Sequence, residues 1–231
     1  MGKPITPILA IAFAAVAGSA AAQAPARTLQ VVELFTSQGC STCPPANAAV
    51  AALSARPDIL ALSFGVTYWD QLGWKDTFAS KAYTDRQWDY ARGLRHSNVG
   101  TPQVVINGRT DVVGQRVSDI EGALRRAPLA AGGPVVSLEG GVVSVTGAAL
   151  LRPADVWLVR YDPRVVQVPI QRGENGGKTL PHKNVVRELT KLGEWTGGAR
   201  TWRAPPGPAD LRTAVVLQAP SGGPILAAAR S

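Results

Sequence analysis

The sequence predicts an α/β domain over residues 23–130 followed by a β-rich, sandwich-like domain over residues 134–231. Three observations predict it. Strand and helix signals alternate through the first half, Ala131-Gly132-Gly133-Pro134 interrupts the alternation, and short β-type segments then recur between Gly and Pro clusters.

Residues 1–22, MGKPITPILAIAFAAVAGSAAA, run from one lysine through an uncharged apolar stretch to small residues. That order is the pattern of a secretory signal peptide, cleaved after Ala22. Pro4 and Pro7 leave the apolar run short for a membrane span, so no stable insertion is expected after cleavage. Residues 28–35 then read as a strand and 44–55 as a helix, with Pro44 and Pro45 tolerated in its first turn, where a missing N–H matters little. Residues 59–66 form a continuous apolar strand, 78–94 a helix and 103–106 a strand. Asn107-Gly108 is a hairpin signal, so 111–113 pairs back antiparallel. Ser118 caps the short helix DIEGALRRA. The order β-α-β-α-β-β-α gives a small mixed sheet with helices on both faces.

In the second half, residues 135–138, 142–145, 154–161, 165–170, 213–218 and 225–229 read as strands, and APPGPAD, at 204–210, reads as a loop. HKNVVRELTKLGEW, at 182–195, fits an amphipathic helix through Val185, Val186, Leu189 and Leu192, or an alternating strand. Its neighbours favour the strand.

The chain has 231 residues, a net charge of +8 and two cysteines. Its arginines are scattered, and no basic run is interleaved with aromatics, which argues against a nucleic-acid partner. The two cysteines, as Cys40-Ser41-Thr42-Cys43, cannot supply four zinc ligands. Export would place them in a periplasmic or secreted setting, where a disulfide persists. The pair follows a strand and precedes a helix, which puts Cys40 at or near a helix N-terminus. Unpaired N–H groups and the helix dipole favour a thiolate there. The spacing thus points to a redox-active Cys40–Cys43 disulfide with no other cofactor. Cys40 is the expected nucleophile and Cys43 the resolving thiol. The expected partners are protein thiols or disulfides of the cell envelope.

Thr101-Pro102 directly precedes the strand QVVI. The strings ELFTSQGCSTCPPAN, YWDQLGWKDTFAS, TPQVVING and RGENGGKTLPHKNVVREL resemble the DUF1223 family of secreted bacterial proteins, itself similar to thioredoxins. The resemblance implies an α/β thioredoxin-like domain followed by a β-rich C-terminal domain. It also implies a cis proline at Pro102 beside the dithiol, with Thr101 and Pro102 holding an extended partner segment. It places Glu33 beneath the dithiol, where a carboxyl could deprotonate Cys43. The chain departs from the family pattern in two places. It has Phe64-Gly65-Val66-Thr67-Tyr68-Trp69-Asp70 where the pattern is F-H-V-D-Y-W-D, and Asn47 where an acid is expected. Roles of that His and those acids do not carry over.

Some residues admit two readings. Glu33 lies among apolar residues of a buried strand and is either a working acid or the partner of an arginine. Trp69 and Trp74 lie on the loop after the second strand and either bind a partner chain or pack between the halves. His182 lies next to a Gly-rich run that could fold over the dithiol. With Cys40 and Cys43 it would suit copper(I), as in a metallochaperone or sensor, although a lone histidine is more often an ordinary loop residue, as is His96. A third possibility is a binding module whose disulfide is purely structural.

Overall fold

A strand covered on both faces has to be apolar along its whole length, and QVVELFT and ILALSFG nearly are. They form β1 (Gln30–Thr36) and β2 (Ile59–Gly65), paired in parallel at the centre of a computed structural model that describes residues 1–2 and 29–231. All but the first two residues of the expected leader lie outside the described residues. α1 (Pro44–Leu53) joins the two strands. α2 (Lys81–Leu94), capped by the Ser80 hydroxyl, leads to β3 (Gln103–Ile106), which is antiparallel to β1. The Asn107-Gly108 turn then returns the chain as β4 (Thr110–Val112). α3 (Val117–Arg126) starts after Arg116 at the N-cap position, so Ser118 lies inside the helix and does not cap it.

The second half consists of β5 (Val135–Glu139), β6 (Val142–Thr146), β7 (Ala154–Pro169), β8 (Thr179–Trp195), β9 (Arg200–Arg203), β10 (Arg212–Gln218) and β11 (Ile225–Arg230). β7 and β8 form one long antiparallel hairpin with three register shifts. Segments 154–161 and 165–170 therefore belong to a single strand, and 182–195 is strand, not helix.

The expected α/β thioredoxin-like domain followed by a β-rich sandwich-like domain is overturned. Strand accounts for 40% of the structure and helix for 18%. An eight-stranded mixed sheet, in the order β11-β10-β7-β8-β2-β1-β3-β4, runs through both halves of the chain. The physical reason is the edge of β2. An unpaired strand edge is a template for another strand, and β8 occupies it in parallel through Ser63 and Val185. Ser63 Oγ donates to Lys183 O at 2.9 Å, and Asn184 Nδ2 donates to Ala61 O at 2.7 Å. Only β5, β6 and β9 form a separate three-stranded sheet, packed through Val143 and Val145 on Val156, Leu158, Val215 and Leu217.

The helices divide between the two faces. α1 and α3 cover Val32, Leu34, Ile59 and Ala61 on one face. α2 lies across the other, where its Tyr83 and Tyr90 join a core that takes Phe35 from β1, Phe64 from β2, Val159 and Tyr161 from β7, and Val216 from β10. Gly65 serves a close approach at the top of β2. A Cβ there would stand 2.9 Å from the Ala79 nitrogen, so the histidine of the family pattern has no room at this position.

Glu33 points to the α2 face and is fully buried. Arg86 Nε and Nη2 donate to its two carboxylate oxygens at 2.9 and 3.1 Å, and the Tyr90 hydroxyl also donates to it. Burial pushes the Tyr90 phenol well above its ordinary range, so it keeps its proton. The Arg86 guanidinium also lies 5.1 Å from the Tyr90 ring centroid and 5.7 Å from that of Trp157 on β7. Arg86→Met would leave the Glu33 charge buried and unpaired. We expect a loss of about 3–5 kcal/mol in urea unfolding, with part of it recovered by adding Glu33→Gln, which removes the orphan charge.

Candidate functional site

The loop between β1 and α1 folds on itself. Gly39 N donates to Ser37 Oγ at 3.1 Å, Cys40 N to Ser37 O at 3.2 Å and Cys43 N to Cys40 O at 3.3 Å. These turns bring Cys40 and Cys43 together as a disulfide, with Cα atoms 5.5 Å apart. Cys43, not Cys40, is the N-cap of α1, and Pro44 and Pro45 fill the first helical positions. A proline has no N–H, so this helix end offers fewer donors to a nearby sulfur than an ordinary one.

The Cys40 sulfur carries no hydrogen while it is bonded to Cys43. It accepts from Thr42 Oγ1 at 3.3 Å and lies 3.7 Å from Thr101 O. The Thr101–Pro102 peptide is cis, and Trp69 Nε1 donates to Thr101 Oγ1 at 2.8 Å. Thr42, Thr101 and Pro102 line an open groove of about 580 Å³, whose other walls include His96, Gln103, Asp111 and Gln115.

A second layer over the disulfide loop comes from the C-terminal half. Asn175, in the tip of the β7–β8 hairpin, is fully buried. Its Nδ2 donates to Gln38 O at 3.0 Å and to Cys40 O at 2.9 Å. The neighbouring Glu174 accepts from Ser41 N at 3.1 Å and from Ser41 Oγ at 2.6 Å. The Ser41 hydroxyl and N–H hold the Glu174 carboxyl below its usual range. Gln38 is gripped as well: its N–H donates to Asp76 Oδ2 at 2.7 Å, and its Oε1 accepts from Trp74 Nε1 at 2.9 Å. Burial raises the Asp76 carboxyl above its usual range, against the opposing hydrogen bonds from the Gln38 and Phe78 main chain. Beneath these layers both Cys40 and Cys43 are 0% exposed.

The structure thus gathers Cys40, Cys43, Thr101, Pro102, Trp69 and Trp74 into one site. Of the two readings of the aromatic loop, Trp74 shows packing between the halves, against Val168, Ile170 and Leu180 of the long hairpin, while its indole N–H holds Gln38. Glu33 is not part of the site. It shares its face of the sheet with α2, whereas α1 lies with Val32 and Leu34, and both its carboxylate oxygens are taken by Arg86. His182 is buried edge-on to Phe78, with ring centroids 5.5 Å apart, and among the described residues its Nε2 has no hydrogen-bond partner. Burial lowers its pKa to about 4. Among the described residues no three His, Cys, Asp or Glu side chains are placed to hold a metal ion, so the copper(I) set of Cys40, Cys43 and His182 does not form. His96 Nε2 lies 3.0 Å from Asp111 Oδ1 on the groove wall.

Sequence reasoning missed Thr42, Gln38, Asp76, Glu174 and Asn175 as site residues. The Gly-rich run around Asn175 was a signal for the last two. For Gln38 and Asp76 there was none, because their partners lie 38 residues apart in the chain.

A family model described as "Protein of unknown function (DUF1223)" matches residues 31–218. The chain is similar to protein AGR_C_4864 from Agrobacterium tumefaciens, known from an X-ray structure, with 33% sequence identity and a TM-score of 0.71 over 90% of this chain and 95% of that one. It shares its fold with HBP35 of Porphyromonas gingivalis, with a TM-score of 0.61 at 13% identity over 89% of this chain and 75% of that one. No curated protein matches the chain.

Two outcomes are expected here. Asn175→Ala removes both main-chain hydrogen bonds of the hairpin tip and should speed reduction of the disulfide by dithiothreitol about tenfold, with an unchanged circular dichroism spectrum. An equal rate would show that the tip is no barrier. His182 is neutral when folded but protonates near its ordinary value of 6.5 when unfolded. Between pH 6.5 and about 4 the unfolded state binds the extra proton, so stability falls as pH falls through that window, by up to about 3 kcal/mol. His182→Phe should flatten urea stability across it.

Proposed function

The chain belongs to the DUF1223 family, and we propose that it is a thiol–disulfide exchange protein of the cell envelope, with Cys40 as the exchanging sulfur and Cys43 as its resolving partner. The observation that carries this reading is the position of Cys40. The two groups that touch its sulfur from outside the disulfide, the Thr42 hydroxyl and the Thr101 carbonyl, belong to residues that line the open groove. A partner segment lying in the groove alongside Thr101 and Pro102 has a short path to that atom. Trp69 holds Thr101 in place, and Trp74 fixes the turn that carries the disulfide.

In the reduced protein the Cys40 thiolate attacks one sulfur of a partner disulfide. The Cys40–partner bond forms, the partner's own S–S bond breaks, and its second sulfur leaves as a thiolate. Cys43, having given up its proton to solvent, then attacks Cys40 Sγ, restores the internal disulfide and releases the first partner sulfur. Two electrons pass from the dithiol to the partner, and the released thiolates take up protons from solvent. The reverse sequence oxidises a partner dithiol. The apolar leader-like stretch of residues 1–22 supports a periplasmic or secreted setting for this chemistry. No membrane-crossing helix is found among the described residues.

One observation favours a second reading, in which the disulfide is a structural staple of a binding module: neither cysteine exposes any surface. The dithiol potential separates the two, since a staple has a potential below about −300 mV and an exchanging pair a higher one. Trapping tests the roles directly. Cys43→Ala should capture partners as mixed disulfides through Cys40, and Cys40→Ala should capture almost none. Equal capture by the two variants would remove the assigned roles.

A further inference from the structure

We propose that the Thr42 hydroxyl is a catalytic group of the exchange reaction, donating a hydrogen bond to the Cys40 sulfur while that sulfur is a thiolate. The proposal rests on the exchange reading above. A nucleophilic cysteine needs something to hold its negative charge, and before a helix the usual source is the first unpaired N–H groups of the helix end. Pro44 and Pro45 remove two of those here. Several of the other nearby donors are committed elsewhere. Cys40 N donates to Ser37 O at 3.2 Å, Gly39 N to Ser37 Oγ at 3.1 Å and Cys43 N to Cys40 O at 3.3 Å. Ser41 gives both its N–H and its hydroxyl to Glu174, and Asn175 Nδ2 serves the Gln38 and Cys40 carbonyls.

Thr42 Oγ1 reaches the sulfur itself, 3.3 Å from Cys40 Sγ. It can act only as the donor there, since a disulfide sulfur has no hydrogen and a thiolate has none either. The residue is held from behind, because Gln115 Nε2 donates to Thr42 O at 3.0 Å. That bond ties the main chain that carries the hydroxyl to a second residue lining the groove. Thr42 itself is exposed and lines the groove, so its hydroxyl sits where the sulfur and an entering segment would meet. A hydrogen bond to an ionised acceptor is worth more than one to a neutral sulfur, so the interaction strengthens as Cys40 ionises, or as it departs as the leaving group in the reverse reaction.

The test follows the rate of Cys40 alkylation against pH in the reduced full-length chain, comparing the parent with Thr42→Val and Thr42→Ser. Thr42→Val keeps the shape and removes the donor, and should move the alkylation midpoint up by about one pH unit. Thr42→Ser should restore most of the shift. A parent midpoint well below about 8.5 that Thr42→Val leaves unchanged would overturn the role of Thr42 and leave the exchange reading standing. A parent in which Cys40 titrates as an ordinary thiol would bring down both.

Discussion

A carboxylate in the middle of a doubly covered strand has to be neutralised by something brought to it, and for Glu33 that something is Arg86. The requirement fixes α2 across the face of the sheet, because only there can a side chain from that helix meet both oxygens. Once Arg86 is there, its flat cation is also within reach of Trp157 on β7, a strand of the C-terminal half. The same helix presents Tyr83 and Tyr90 to a core shared by β1, β2, β7 and β10. One buried ion pair therefore sets the position of the helix whose core draws on both halves of the chain. The ionic contact is local, while most of the stabilisation comes from the apolar surface that the placement buries.

The β2–β8 junction completes what α2 begins. β8 reaches β2 through Ser63 and Val185, flanked by the Ser63 and Asn184 side-chain bonds, and β7, β10 and β11 continue the sheet from it. Because β7 and β8 are so long, their connecting tip projects past the sheet to the loop that carries Cys40 and Cys43. The candidate site is thus built from both halves of the chain. The N-terminal half supplies the sulfurs and the groove, and the C-terminal half supplies the cover.

Much of the central sheet was legible in the sequence. Continuous apolar runs marked β1 and β2, Asn107-Gly108 marked the β3–β4 turn, and the Cys-Ser-Thr-Cys motif with Thr101-Pro102 marked the site. Local signals of this kind depend on residues close together in the chain. The joining of the halves depends on an edge, and an unsatisfied edge of β2 has no signature in the sequence of β8. The Gly and Pro clusters that suggested separate short strands are turns and bulges, such as the register shift between Asp162 and Val165, and do not end β7. Glu33 was recognisable as an anomaly, but which side of the sheet it faced, and so whether it met the sulfurs or Arg86, depended on strand parity that only the fold supplies.

Asn175 and Glu174 occupy main-chain groups of the disulfide loop: the carbonyls of Gln38 and Cys40 and the N–H of Ser41. A visiting polypeptide that uses these groups has a rival tethered to the same molecule. A tethered rival acts at an effective concentration that can reach the millimolar range for short connections, far above that of any free partner. Passing encounters that offer one or two hydrogen bonds lose that competition. A segment that needs these main-chain groups therefore has to outcompete Asn175 and Glu174 for them, and the hairpin tip makes the disulfide loop a place where few chains can pair by main-chain bonds alone.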